Sequence, residues 1–315
     1  MSLRRLGLLI LLASGSLSPA VADEPVLLKY KFAKGDQLVY RKEHEAKELS
    51  TVFDMKIDAL RTQEAIVSQV VDAIDENGNA TLKTKMARRK VKMDGQQGKY
   101  EFDSKSSERD TTSEIGSKNT ALFERLTGSE YEVKVNPRGQ VVEVKGFAEL
   151  CADLLKENPQ GGQYTGAVAD NASAKLGEQQ GLIVLSDKPV KPGDTWEVPI
   201  EGEITGVGKI KGKTVYTYEG NDKVGDRKTV RIGMVTDISF ELKIDTNEAK
   251  VSGTVSSTSS SGTVQFDPSA GRIVSSKQTT SMAGQLTIEA GGMTFTINTT
   301  ADETDTATLL DKLPE

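Results

Sequence analysis

Only one histidine and one cysteine occur in the chain, His44 and Cys151, so few catalytic mechanisms can be assembled. Any Ser–His or Cys–His mechanism would have to use His44. In an alternating pattern His44 shares a face with Leu38 and Tyr40, which predicts a half-exposed strand residue. Cys151 lies on an apolar helical stripe, where a thiol behaves as a small buried hydrophobe with a raised pKa. We therefore assign neither residue a catalytic role.

Metal and phosphate sites are also disfavoured. A Cys/His zinc site needs three or four such ligands, and a single cysteine allows no disulfide within the chain. Gly206–Thr214 resembles a phosphate loop, which requires four residues between its first Gly and the Gly-Lys-Thr. Here five residues separate Gly206 from the Gly-Lys-Thr, and three separate Gly208 from it. A strand pattern, not a helix, follows it. The sequence thus gives no catalytic, cofactor-binding or metal-binding residue, and we expect no cofactor.

Carboxylates leave one enzymatic class open. The chain has 46 Asp and Glu residues, and a glycosidase needs only two carboxyl groups, about 5 to 9 Å apart. Against this, sugar-binding sites commonly use aromatic platforms, and aromatic residues make up only 5% of the chain. The net charge of −6 argues against a nucleic-acid partner, since phosphate binding needs clustered Lys and Arg.

The N-terminus has the pattern of a secretory signal peptide at residues 1–22. Arg4-Arg5 precedes the apolar run Leu6–Leu12, and Ala20-Val21-Ala22 is an A-x-A cleavage pattern. The apolar run is far shorter than the roughly 20 residues of a membrane-spanning helix. We expect cleavage before Asp23, no transmembrane segment after it, and an exported protein, periplasmic or extracellular.

Alternating apolar and polar residues dominate the rest of the chain. At 28–32 and 53–59 apolar side chains alternate with charged ones, which is typical of an antiparallel strand with one solvated face. The hydroxyl-rich run at 256–261 is either a flexible linker or, as we prefer, part of a strand, because β-branched Thr fits a pleated sheet. Further strands are predicted at 37–48, 63–74, 79–92, 98–103, 131–135, 140–145, 196–205, 213–219, 227–244, 250–266, 271–282, 284–290 and 293–300.

Helical patterns are confined to the middle of the sequence. Phe147–Leu155 carries apolar residues at i, i+3, i+4, i+7 and i+8, and weaker helices are predicted at 119–127 and 165–179. We predict a mainly β protein with long antiparallel sheets, forming a curved sheet or an incomplete barrel. Its expected divisions are an N-terminal β-rich half, a helical connector and a C-terminal β-rich half, at 23–145, 146–181 and 182–315.

Three short motifs resemble those of uncharacterised secreted bacterial proteins classified as domains of unknown function. They are the strand starts Lys34–Asp36 and Pro192–Trp196 and the turn Phe266–Arg272. Because a similar turn occurs at 136–139, the two halves could also be a duplication, which the sequence leaves open. More distantly, the long sheets are similar to periplasmic lipoprotein carriers, whose incomplete barrels hold acyl chains; this likeness implies fold alone.

Three functions follow as hypotheses. The preferred one is a non-enzymatic binding or carrier module of the cell envelope, with Phe53, Met55 and Ile57 among its ligand-facing residues. Its expected partner is an apolar small molecule or a lipid. The alternatives are a structural or interaction protein that binds another envelope protein, and a carboxylate-based hydrolase. A cavity of about 300 Å³ or more is required for the first.

Overall fold

The computed structural model describes residues 24–96, 98–157, 171–179, 181–204, 206–246 and 249–314. The predicted signal peptide and its cleavage site before Asp23 lie outside the described residues. Within the described ranges, no helix has both the length and the apolar character needed to cross a membrane.

Twelve strands form where the sequence alternates. The last strand runs to Leu310, ten residues beyond its predicted end, because threonines at alternate positions continue the pattern. The hydroxyl-rich run at 256–261 lies in a strand, as preferred. The strands are β1 (Gln37–Val52), β2 (Met55–Ile74), β3 (Ala80–Gly95), β4 (Gly98–Asp103), β5 (Glu130–Val135), β6 (Val141–Lys145), β7 (Thr195–Ile204), β8 (Gly208–Val224), β9 (Arg227–Asp245), β10 (Ala249–Asp267), β11 (Arg272–Ala290) and β12 (Met293–Leu310).

All twelve strands belong to one antiparallel sheet that does not close into a barrel. Its order is β6-β5-β3-β2-β1-β12-β11-β10-β9-β8-β7, and β4 pairs with the far part of β3. The pairing of β1 with β12 places the first and last described strands side by side at the centre of the sheet. The predicted mainly β, antiparallel architecture is therefore confirmed, whereas the division into halves at 23–145, 146–181 and 182–315 stays a prediction.

Three helices are described: α1 (Glu114–Leu126), α2 (Phe147–Glu157) and α3 (Asn171–Gln179). Helix α1 begins five residues before its predicted start, because Ser113 caps it by accepting a hydrogen bond from the Gly116 N–H. The helices pack mainly against β4 to β7, and α3 contacts both β6 and β7. The two end strands of the sheet, β6 and β7, thus contact the same helix.

The segment at 28–32 is not a strand, contrary to the sequence prediction. Leu28 and Tyr30 are buried, but the backbone bonds to two turns and not to a neighbouring strand. The Tyr30 N–H donates to the Pro137 carbonyl, and the Lys31 N–H donates to the Gly271 carbonyl. The two similar turns noted in the sequence therefore hold consecutive residues of one extended segment.

The structure also differs from the sequence prediction at 53–59, because this segment was predicted to be a strand throughout and its first two residues form a turn. Phe53 and Asp54 form the two-residue turn between β1 and β2, with φ values of 47° and 65°. Both angles lie in the left-handed region that two-residue hairpin turns require. The sequence lacks the Asn or Gly that usually marks such a turn, so the pattern concealed it.

Candidate functional site

The curled sheet encloses a cavity of about 760 Å³ on one of its faces, here called the inner face. Lining residues come from β1, β2, β6, β7, β8, β9, β11, β12 and α3, and from the segment 181–184. Because strands from the centre and from the β7 end of the sheet face the same space, the sheet must curl around it. The volume lies within the range of known ligand sites, about 300 to 1,000 Å³.

One wall of the cavity is apolar. Inward positions of the β7 to β9 end of the sheet supply Val198, Ile200, Ile210, Ile238 and Phe240. Each faces inward because every second residue of a strand points to the same side of a sheet. The cavity therefore offers an apolar ligand a continuous surface on this side.

The opposite wall is polar and is built by strand register. His44 of β1 stands directly opposite Asp305 of β12, and Asp305 stands opposite Gln278 of β11. His44 Nδ1 and Asp305 Oδ1 lie 2.9 Å apart. Lys42 and Glu303 occupy the next inward positions on the same two strands. One Lys, one His and two acidic side chains are thus gathered in one wall.

The electrostatics of this wall follow from burial and pairing. The hydrogen bond to Asp305 raises the pKa of His44, and burial raises the pKa of Glu303. Among the described residues, Lys42 Nζ has no hydrogen-bond or ion-pair partner, although it lines the cavity. The wall therefore has an ammonium group that no described side chain engages and that is available to the polar end of a ligand.

Helix α3 covers the gap between the two end strands. The Gln179 side chain accepts from the Val141 N–H at 2.9 Å and donates to the carbonyls of Gly139 at 3.1 Å and Leu182 at 3.3 Å. At the β7 side, a Cβ on Gly202 would lie only 2.3 Å from Leu176 Cδ1. Glycine at this position allows the helix to lie directly against the strand.

Beyond the cavity the inner face continues as an apolar trough. Phe240 lines the cavity, and the trough begins with the next row of inward residues across the neighbouring strands. No described helix packs against this part of the sheet as a main contact. Two successive rows across β9, β10, β11 and β12 contain Leu242, Gly253, Leu286 and Ile297, then Ile244, Val251, Ile288 and Phe295.

The outer face of the same rows is polar, so this part of the sheet is amphipathic. Its outward positions include Lys243, Lys250, Thr287, Glu289 and Thr296. An apolar sheet face normally packs against another layer. Here the described residues supply no such layer, and contiguous apolar surface of this kind commonly marks a binding site.

The predicted ligand-facing residues do not line the cavity. Phe53 lies in the β1–β2 turn and is 75% exposed, while Met55 and Ile57 point inward at the far end of the trough. His44 is a half-exposed strand residue, as predicted, and lies on the polar wall. Cys151 is fully buried, and its burial raises the thiol pKa to about 11.

Sequence reasoning missed the polar wall itself. Glu303 and Asp305 are two positions apart, and both fall on the same face as the apolar Ile297 and Ala301. On this strand face, acidic residues take the place of apolar ones at alternate positions, and this change in the pattern could have indicated Glu303 and Asp305 as site residues. Among the described residues, no group of three or more His, Cys, Asp or Glu side chains could hold a metal ion.

The family described as DUF6263, a family of unknown function, matches residues 77–273. The chain belongs to this family. The matched region includes α3 and the apolar wall, whereas His44 and Glu303 of the polar wall lie outside it. A comparison with curated proteins finds no match.

Two solved structures illustrate the distant structural similarity. A structure of lipid–protein interactions in lipovitellin aligns with 90% of this chain and 26% of its own, at 13% identity and a TM-score of 0.42. An outer membrane channel from Pseudomonas putida F1 aligns with 89% of this chain and 97% of its own, at 6% identity and a TM-score of 0.24. The chain thus spans about a quarter of the length of the lipovitellin chain it matches.

Proposed function

We propose that this protein is a non-enzymatic binding or carrier module for an apolar small molecule or a lipid. The observation that carries the proposal is the cavity of about 760 Å³, whose apolar wall continues into the trough. Transfer of apolar surface out of water contributes about 25 cal/mol per Å². A ligand that covers the trough therefore gains affinity from surface that the described residues leave uncovered.

The two walls favour a ligand with one polar end. An apolar body fits between Ile200, Ile210 and Ile238, while the polar end meets Lys42 and Gln278. From Met293 to Ala301, the inner face of β12 extends roughly 27 Å at about 3.4 Å per residue. The hydrocarbon of one bilayer leaflet is about 15 Å thick, so the trough together with the adjoining inner face of β12 has room for a long acyl chain.

Export to the cell envelope is part of the same proposal. It is supported by the arginine pair, apolar run and A-x-A pattern of residues 1–22. A module that holds an apolar molecule away from water would be useful wherever such molecules cross an aqueous compartment.

Native mass spectrometry of the full chain, expressed with its own N-terminus and purified under mild conditions, tests the proposal. We expect a bound mass that organic extraction removes. Ile238→Lys, which places a charge on the apolar wall, should lose this mass, and Asp237→Lys on the outer side of the same strand should keep it. A protein that is always bare would contradict the carrier function and favour an interaction protein of the envelope.

A carboxylate-based hydrolase remains a second candidate because Glu303 and Asp305 share the polar wall. Residues two apart on a strand have Cα atoms about 7 Å apart, and burial raises the pKa of Glu303, as suits a general acid. A panel of nitrophenyl glycosides tests this candidate. Turnover that is lost in Glu303→Gln but kept in Glu289→Gln would support it, and no turnover by the wild type would refute it.

A further inference from the structure

Two neighbouring hairpins end near the far rim of the trough. The β1–β2 turn is formed by Phe53 and Asp54, and the β11–β12 turn by Gly291 and Gly292. In the register of β1 with β12, the β1–β2 turn lies beside Phe295 and Thr296, about four residues short of the Gly291–Gly292 turn. The rings of Phe53 and Phe295 lie 5.8 Å apart, centre to centre, so the two hairpins present one common surface.

This surface, here called the tip, is apolar and exposed. Phe53 is 75% exposed, Met55 is 60% exposed and Met293 is 68% exposed. These are the three largest exposed fractions among the large apolar side chains that the structure describes. Single exposed apolar residues are ordinary on a protein surface, but a cluster indicates an interaction site.

The backbone at the tip is an independent indication. A left-handed φ of 47° is unfavourable for a residue with a bulky side chain, and turns of this type favour Asn or Gly. The Phe53 ring gains little burial within the chain that would offset this strain. The hairpin requires the left-handed φ but not a Phe to adopt it, and a strained residue of this kind is commonly associated with a functional role.

We propose that the tip docks onto a lipid bilayer, by inserting Phe53, Met55 and Met293 among the acyl chains. A stable protein–protein interface buries about 800 Å² on each partner, which three side chains on two turns do not provide. A bilayer requires no such area. The tip also lies where the apolar trough ends, so an acyl chain that leaves the bilayer there meets apolar surface at once.

Charges near the tip indicate how it binds. The turn and the strand ends beside it carry Asp54, Lys56, Asp58 and Glu289, and Lys250 of β10 stands opposite Glu289 and forms an ion pair with Asp245, so acidic and basic side chains are mixed and no Lys or Arg cluster is formed by these residues. Docking is therefore hydrophobic, and it does not require anionic lipid. The route of an acyl chain into the trough rests on the proposed function, whereas docking itself does not.

Flotation of the full chain with phosphatidylcholine vesicles, with and without about 0.5 M salt, tests the proposal. We expect salt-insensitive binding and at least a tenfold loss of vesicle affinity in Phe53→Asn. Asparagine suits the left-handed turn, so this variant should unfold at the same denaturant concentration as the wild type or higher. Val235→Thr removes an apolar side chain that is 54% exposed on β9 and should bind like the wild type.

The result that overturns docking is a wild type that does not float, or a Phe53→Asn variant that floats equally well. A dimer that Phe53→Asn dissociates, in a protein without vesicle binding, would make the tip a contact between two copies and also overturn it. Titration with a fluorescent fatty acid in solution separates the two proposals. Fatty-acid binding without flotation refutes docking alone, and flotation without fatty-acid binding supports docking while refuting the carrier function.

Discussion

Replacing Gln179 with alanine tests how α3 covers the cavity. The Gln179 side chain makes three hydrogen bonds, and its partner Val141 is only 4% exposed. In Gln179→Ala the Val141 N–H and the Gly139 carbonyl lose these partners. The helix should then separate from β6 more readily, which opens the cavity.

The magnitude follows from the lost partners. A buried donor left without a partner costs about 1 to 3 kcal/mol, and such a change in free energy alters an equilibrium about 5- to 150-fold. Because the opening is local, the global free energy of unfolding should change less than the free energy of α3 opening.

Hydrogen exchange measured by mass spectrometry reports this opening. Amides of residues 171–179 should exchange about 5 to 150 times faster in Gln179→Ala than in the wild type. The control is Gln285→Ala, which removes an exposed amide bonded to Asn298 on the outer face of β11. Unchanged exchange in Gln179→Ala, or equal acceleration in the control, would refute this account of the cover.

Three further predictions concern single sites. Gly202→Ala should destabilise the protein by about 1 kcal/mol, because its Cβ would lie 2.3 Å from Leu176 Cδ1 and the Leu176 side chain must change rotamer; denaturant unfolding measures this, and wild-type stability would contradict it. The hydrogen bond to Asp305 raises the pKa of His44 in the folded protein. The stabilisation of the folded protein by this pair is therefore complete below the unfolded pKa of about 6.5, and it is lost as the pH rises through the pKa of the folded state. The stability advantage of the wild type over His44→Gln should thus be larger at about pH 5 than at about pH 9, and below about 1 kcal/mol because Asp305 is 59% exposed; an advantage that grows with pH would contradict this. Cys151 should react with iodoacetamide far more slowly in the native than in the unfolded protein, since burial raises its pKa to about 11; equal rates would show that the thiol is accessible.

Local patterns predicted the class of fold because strand alternation and turn residues are local properties. The strand at Arg227–Asp245, for example, was predicted to within one residue. Leu28–Phe32 was misassigned because burial of alternate residues also occurs in an extended segment held by distant turns. The Phe53 turn was missed because its residues are unusual for its geometry.

The candidate site was largely beyond the sequence because it depends on register between distant strands. His44 and Asp305 are 261 residues apart and become neighbours only through the pairing of β1 with β12. No local pattern specifies that pairing. The inward side of β12 could be predicted from its alternation, but its position opposite the apolar wall could not.

Titration with dansyl-undecanoic acid of two variants that differ by one position on β12 tests the central claim most directly. Ile297→Lys places an ammonium group in the trough, whereas Thr296→Lys places it on the exposed outer face. If the inner face holds an apolar ligand, the wild type and Thr296→Lys bind the probe saturably with equal affinity. Ile297→Lys should bind at least ten times more weakly, because a charge in an apolar site must give up its hydration. Absence of saturable binding, or equal affinities in all three proteins, would contradict the claim.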